Sequence, residues 1–351
     1  MKTTGYAALA ADARLAPFAF ERRDLRPNDV ALEVLYCGVC HSDLHNARND
    51  WGGSVYPLVP GHEIVGRVID IGPAVGRHKV GDYVAVGCLV DSCQHCDQCN
   101  KGLEQFCREG RTDTYLSPDR ITGEINLGGY SKHLVAREEF VLRLPQGLDP
   151  ARAGPLLCAG ITTYSALRTW DVGPGGRVGV VGLGGLGHMA VRLASAMDAH
   201  VTVISRTVDK RADALALGAD ALLVSSDAQA LETAASTFDL IIDTVPVKHD
   251  INPYMPLLDI DGALVMVGQV GPLAEMNTAP AVLGRRRFAG SLIGGLAETQ
   301  EMLDFCASKN ILPAVEMIRM DQINEAFERL ERGDVRYRFV VDMSSLSGPT
   351  T

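Results

Sequence analysis

The stretch Arg177-Val178-Gly179-Val180-Val181-Gly182-Leu183-Gly184-Gly185-Leu186-Gly187 decides the reading of the fold. Its first part is a short apolar run of the kind buried parallel strands show. Its last six residues form G-x-G-x-x-G, and a helix-prone segment, Leu186–Met197, follows. Strand, glycine turn and helix in that order make a cradle for phosphate. Gly182 permits the tight turn, Gly184 lets the backbone approach a pyrophosphate, and Gly187 allows close helix–strand packing. The helix N-terminus then offers unpaired N–H groups and the positive end of its dipole.

Outward from the cradle, apolar runs alternate with helical segments. His200–Ile204, Ala221–Val224, Phe238–Ile242 and Ala263–Val267 read as further parallel strands, and Lys210–Leu217 as a second crossover. The chain before about Leu144 has another rhythm. Ala31–Tyr36, Glu63–Asp70 and Asp82–Val86 are short β-runs separated by Gly, Pro and Asp. Near the end, Ile323, Ala326, Phe327 and Leu330 share one helical face. The last β-run, Tyr337–Asp342, belongs to neither crossover and is expected to return to the first domain.

The end of the second strand reads Ile204-Ser205-Arg206-Thr207-Val208-Asp209-Lys210. A site for NAD usually places Asp or Glu there, to bind the ribose 2′-hydroxyl. Here the position is Ser205. Hydroxyls with Arg206, Lys210 and Arg211 suit a dianionic 2′-phosphate, which Arg can grip as a fork. Asp209 falls in the following turn, where a capping or solvated role is expected. The cofactor expected is NADP(H).

Cys93, Cys96, Cys99 and Cys107 follow the spacing C-x2-C-x2-C-x7-C. Four thiolates so close can converge on one tetrahedral zinc with no open position, which braces a loop and does no chemistry. Disulfides are the competing reading, but a 351-residue chain has little need of such staples. A second, catalytic zinc needs three protein ligands and a free position, and Cys40, His62 and Cys158 could supply it. Spacing alone leaves that choice open.

Composition bounds the rest. With 351 residues and 46% hydrophobic content, the chain can build two domains with sizeable cores. A net charge of −10 argues against nucleic acid and anionic membranes. No stretch of about 20 apolar residues exists. Met1 to Leu15 has no apolar run of leader length, so a cytoplasmic protein is expected.

Taken together, several motifs resemble the zinc-containing medium-chain alcohol dehydrogenases, in particular their cinnamyl alcohol dehydrogenase-like branch. The bacterial broad-specificity, NADPH-dependent aldehyde reductases of that branch look most similar. The motifs are Gly61-His62-Glu63, the four-cysteine lobe, Cys158 to Tyr164, the glycine turn, Asp243-Thr244-Val245-Pro246, Ser291 to Gly295, and Arg336 to Val341. They extend through nearly the whole chain.

The resemblance implies an α/β architecture: a doubly wound parallel-sheet (Rossmann) domain for the cofactor and a β-rich GroES-like catalytic domain. The boundaries expected are 1–154 for the catalytic domain with its zinc lobe, 155–295 for NADP binding, and 296–351 returning to the catalytic domain. It makes Cys40, His62 and Cys158 the catalytic zinc ligands, with Glu63 a neighbour able to approach the metal. Ser42 becomes the hydroxyl that relays the alcohol proton, and His45 and Asp50 the outer end of that relay. His41 faces the cofactor pyrophosphate. Thr162, Thr244, Val245, Val267, Gly268, Ser291, Leu292 and Ile293 match cofactor-contacting positions. So do Leu183, Gly185, Leu186 and Thr207, within the cradle and the strand end.

Two zinc ions per chain, a small aldehyde or alcohol substrate and a homodimer are implied as well. Trp51, Leu58 and Cys88 are expected near the substrate. A polyol dehydrogenase lacks a cysteine at the third ligand position, and a quinone reductase relative would lack the lobe. A silent zinc and NADPH binder would have lost a ligand or the relay hydroxyl.

Overall fold

A computed structural model of the chain describes residues 1–268 and 271–346. They form two compact units, one of Met1–Cys158 with the chain from Gly294 onward, the other of Ala159–Ile293.

The first unit begins with a hairpin of β1 (Lys2–Ala7) and β2 (Ala16–Glu21). The long β3 (Asp29–Val39) then pairs antiparallel with β4 (Ile64–Ile71), and β4 with β5 (Tyr83–Val86). Alternation along these strands sends Val30, Leu32, Val34, Ile64, Val68, Val84 and Val86 into one core. β6 (Leu89–Asp91) and β7 (Thr112–Asp113) flank the cysteine lobe as a small separate pair. β8 (His133–Arg137) joins β3, and β9 (Leu142–Arg143) joins β5.

The second unit is a six-stranded parallel sheet. Its strands are β10 (Arg177–Val181), β11 (His200–Ser205), β12 (Ala221–Val224), β13 (Phe238–Asp243), β14 (Leu258–Met266) and β15 (Arg287–Gly290). Their spatial order is β12-β11-β10-β13-β14-β15. The chain therefore reverses direction across the sheet between β10 and β13. In such sheets, ligands bind at the carboxyl ends of the strands flanking that switch.

The chain then returns. β16 (Val315–Arg319) pairs with β17 (Arg338–Asp342), and β17 lies antiparallel to β3 with Val341 opposite Cys37. The helix Ile323–Glu331 buries Ile323, Ala326, Phe327 and Leu330, the four positions its periodicity picked out. The units divide after Cys158 and after Ile293, where the sequence pointed to 154 and 295. The reason is the turn Gly154–Leu157, which packs on β3, β4, β5 and β17 and so keeps Cys158 with the first unit. Among the described residues no helix is long and apolar enough to cross a membrane.

Candidate active site and cofactor cradle

The lobe after β6 is organised by its own backbone. The sulfurs of Cys93, Cys96, Cys99 and Cys107 all lie within 4.8 Å of one another. Cys93 and Cys99 are 3.8 Å apart, far beyond a disulfide, and every cysteine in the chain is free. A tetrahedron with zinc–sulfur bonds of about 2.3 Å has an edge of about 3.8 Å. Each sulfur also has a hydrogen-bonding partner. The N–H of Cys96 reaches Cys93, that of Arg108 reaches Cys96, that of Cys93 reaches Cys107, and Ser92 Oγ lies 3.3 Å from Cys99. The Arg108 N–H is the main reason the Cys96 thiol falls to about 6. The donor set fits a closed zinc site.

A second cluster forms where β3 ends. Cys40 caps the short helix His41–Ala47, and Asp43, three residues on, accepts the Cys40 N–H at 3.0 Å. Asp43 is fully buried and also accepts from the Gly61 N–H and the Tyr130 hydroxyl. Its Oδ1 lies 3.0 Å from His62 Nδ1. That contact puts a proton on Nδ1 and leaves Nε2 as the ring atom available to a metal, toward the Cys40 sulfur. The sulfur of Cys158 stands 3.8 Å from that of Cys40, again a tetrahedral edge, and a ligating atom from each of Cys40, His62, Glu63 and Cys158 lies within 4.8 Å of the others.

Charge completes this second cluster. Glu63 is buried and pairs with the equally buried Arg338 of β17. The close approach needs Gly38 on β3, since a Cβ there would lie 1.9 Å from Glu63 Oε2. Oε2 itself has no hydrogen-bond partner. Burial pushes the Glu63 carboxyl up to about 7, with Arg338 pulling the other way. The neighbouring Cys158 thiol, and then Arg338, hold the Cys40 thiol well below its ordinary value. Cys158 moves well up, pushed first by the Cys40 sulfur, then by that of Cys88 and by burial. Burial alone would lower the His62 imidazole, but Asp43 raises it well above the usual range. An orphaned carboxylate oxygen, two adjacent thiols and an imidazole in one buried spot fit a divalent cation.

Around this centre, Ser42 Oγ lies 3.6 Å from Cys40 Sγ, and His45 Nδ1 lies 2.8 Å from Asp50 Oδ2. These are two separate pairs. His41 is half-buried, its ring 6.3 Å from that of His45. Trp51 is exposed beside His45, with ring centroids 5.0 Å apart. The half-buried Cys88 lies 3.8 Å from the Leu157 carbonyl, next to the Cys158 turn. Leu58 is fully buried and exchanges backbone hydrogen bonds with Ala8.

In the second unit, Gly182 leaves β10 with φ of +87°. A Cβ on Gly187 would stand 2.2 Å from the Gly182 carbonyl, whereas at Gly184 it would meet nothing within 4 Å. The turn is thus closed on its inner side and open at Gly184, where backbone could meet a pyrophosphate. Leu183 is buried, and Gly185 and Leu186 complete the turn into the helix Gly187–Ala196. Thr244, just after β13, sends its hydroxyl to the Val181 carbonyl at 2.8 Å. Val245 donates to Asp243, and Val267 and Gly268 donate to the Asp243 carbonyl.

At the strand end, Ser205 closes β11, with Arg206 and Thr207 exposed after it. Lys210 Nζ reaches back to the Leu183 carbonyl at 3.4 Å. Thr162 is buried in the helix Ala159–Thr169. Ser291 bonds to the Met266 carbonyl, and Leu292 and Ile293 end the unit.

Reading the sequence missed the roles of Asp43 and Arg338. Asp43 had a signal, a carboxylate at the third position of a helix capped by a candidate ligand. Arg338 is 275 residues from Glu63, so only the return of β17 to β3 reveals that pair.

The chain matches known proteins in sequence and in fold. Residues 26–146 match the model of the alcohol dehydrogenase GroES-like domain, and residues 185–308 that of the zinc-binding dehydrogenase family. Aldehyde reductase YahK of Escherichia coli is 50% identical over 349 residues, 99% of this chain and 100% of that protein. A cinnamyl alcohol dehydrogenase of Sorghum bicolor superposes with a TM-score of 0.96 at 45% identity, all of both chains being covered. CAD from Helicobacter pylori, solved in complex with NADP(H), gives a TM-score of 0.91 at 38% identity over 99% of each chain.

Proposed function

From the premise that the chain belongs to the zinc-containing alcohol dehydrogenases, we propose that it is an NADP(H)-dependent oxidoreductase of primary alcohols and aldehydes. Within that class we read it as a broad-specificity aldehyde reductase or cinnamyl-type alcohol dehydrogenase. The observation that carries the reading is the buried cluster of Cys40, His62, Cys158 and Glu63, with a tetrahedral sulfur–sulfur edge and an orphaned carboxylate oxygen. The first unit supplies the chemistry and the second holds the nucleotide.

Cys40, His62 and Cys158 would hold a catalytic zinc, which when bound supplies a Lewis acid for a carbonyl oxygen, while NADPH when bound supplies the hydride. The chain's own residues do the rest. Asp43 fixes the His62 ring, and Arg338 holds Glu63 back from the ligands as a nearby reserve carboxylate. The Ser42 hydroxyl would deliver a proton to the reduced oxygen, or remove it in the reverse direction, linked through a ribose hydroxyl of the bound nucleotide to the His45–Asp50 pair, which exchanges that proton with water. His41, Thr162, the turn Gly182–Gly187, Thr244, Val245, Val267, Gly268 and Ser291 to Ile293 receive the nucleotide. Ser205, Arg206, Thr207 and Lys210 select its 2′-phosphate. The four-cysteine lobe holds the second, structural zinc.

A homodimer is the expected assembly. β15 is an edge strand, and Val282 and Leu283 just before it are 76% and 87% exposed, with Phe288 exposed on the strand itself. An exposed apolar edge of this kind is a template on which the same strand of a second copy can pair. Free thiols throughout suit a reducing compartment such as the cytoplasm.

The test is a steady-state screen of aliphatic and aromatic aldehydes with NADPH and NADH in parallel, on protein of measured zinc content. The expected result is aldehyde-dependent oxidation of NADPH, preferred over NADH, at two zinc ions per chain. Full activity with one zinc or none would overturn the assignment.

A further inference from the structure

One buried ionisable pair at the switch point of the second sheet has no part in the chemistry above. Asp243, the last residue of β13, is fully buried. Its Oδ1 accepts the Val245 N–H at 3.0 Å, and its Oδ2 lies 2.7 Å from His249 Nε2. His249 Nδ1 lies 2.8 Å from the Val247 carbonyl. A carbonyl oxygen only accepts, so Nδ1 carries a proton. An ionised carboxylate also only accepts, so the contact at Nε2 needs another proton, on the imidazole or on the carboxyl. The pair therefore holds one proton more than a carboxylate beside a neutral imidazole.

The same turn carries Thr244, whose N–H and hydroxyl both reach the Val181 carbonyl, the last group before the glycine cradle. A Cβ on Gly182 or on Gly187 would meet Thr244 Oγ1 at 3.1 Å. One carboxylate thus gathers both ends of the turn that presses on the cradle.

We propose that His249 is a positioning residue: the proton it shares with Asp243 holds the turn Asp243–His249 against the glycine cradle, so nicotinamide nucleotide binding weakens as that proton leaves. This rests on the cradle being the nucleotide site. Once the proton is lost, the Nε2 lone pair faces carboxylate lone pairs, the contact becomes repulsive, and Thr244 is no longer held. Affinity is therefore full at low pH and falls as pH rises. The groups facing His249 are Asp243 from β13 and Tyr254, whose ring centroid is 6.3 Å away, with Lys248 and Asp250 adjacent in the chain. Tyr254 in turn feels Arg206 and bonds to Ser225. Burial raises the Asp243 carboxyl, which favours keeping the proton.

The experiment is equilibrium binding of NADPH, followed by its fluorescence, between about pH 6 and pH 9. Wild type, His249→Gln and His249→Leu are compared. Gln offers an N–H donor that does not titrate, and titration of the 2′-phosphate is common to all three proteins. Relative to His249→Gln, the wild-type Kd should rise about tenfold across the range, the scale of one charge-assisted hydrogen bond. His249→Leu should bind weakly throughout. Parallel profiles for wild type and His249→Gln would overturn the proposal and leave the nucleotide site standing. A wild type that binds no NADPH at any pH would overturn the cradle reading, and this inference with it.

Discussion

The two cysteine clusters of the first unit are built in opposite ways. The lobe takes four sulfurs from one stretch, Cys93 to Cys107, and its donors are mostly backbone N–H groups within or next to that stretch. The second cluster joins Cys40 to Cys158 across 118 residues and surrounds them with buried charge from Asp43, Glu63 and Arg338. A site made of one loop and four sulfurs is closed, and holding its metal is holding its fold. The other is assembled by the sheet, so its geometry survives loss of one ligand, and its three-ligand set leaves a position for substrate. The cluster built in one loop should therefore fail in stability, and the one assembled by the sheet in activity.

The sharpest way to break the comparison is to remove one sulfur from each. Cys158→Ala should abolish turnover yet leave a folded protein that binds NADPH and retains one zinc. Cys99→Ser should instead lower yield and melting temperature. Metal analysis and thermal melts on the two variants decide it, and equal loss of stability in both would erase the distinction.

Ser42 sharpens what the open cluster is for. Ser42→Ala should keep both zinc ions and near-normal NADPH binding, yet lose about 10²–10⁴-fold in turnover, the scale of positioned proton transfer. Ser42→Thr keeps a hydroxyl and should retain much of the activity. If Ser42→Ala is zinc-replete and active, the hydroxyl carries no proton.

A smaller effect is expected from the support behind the ligands. Asp43→Asn should weaken the catalytic zinc by about 10–100-fold, because the His62 ring loses its charged partner. A chelator titration should then strip one zinc at low concentration while the lobe zinc stays. Loss of both together would show that the clusters are not independent.

Outside both clusters, Arg206→Ala supplies the control. It should raise the NADPH Kd by about 10–100-fold and leave that for NADH nearly unchanged, with zinc content untouched. Equal effects on both nucleotides would mean that Arg206 does not read the 2′-phosphate.

Much of this was legible in one dimension because the signals are local. The glycine turn announces itself by strand, glycines and helix in sequence, and β10 and the helix Gly187–Ala196 lie where that pattern put them. The lobe is legible for the same reason, since four thiols in one loop have few other uses. β14 was the least accurate strand. It begins at Leu258, well before Ala263, because an early register shift against β13 admits a polar segment that the apolar run does not include.

Local sequence therefore carries the chemistry held within a turn or a loop: the phosphate cradle, the closed sulfur site, and the missing acidic residue at the end of β11. Tertiary structure alone decided which distant groups become neighbours. It set Cys158 beside Cys40, brought Arg338 under Glu63 through the pairing of β17 with β3, and turned His249 back onto Asp243. The physical reason is one of range. Backbone geometry over a few residues dictates local hydrogen bonds, but a buried charge is stable only where another element brings its partner, and no local pattern encodes that meeting.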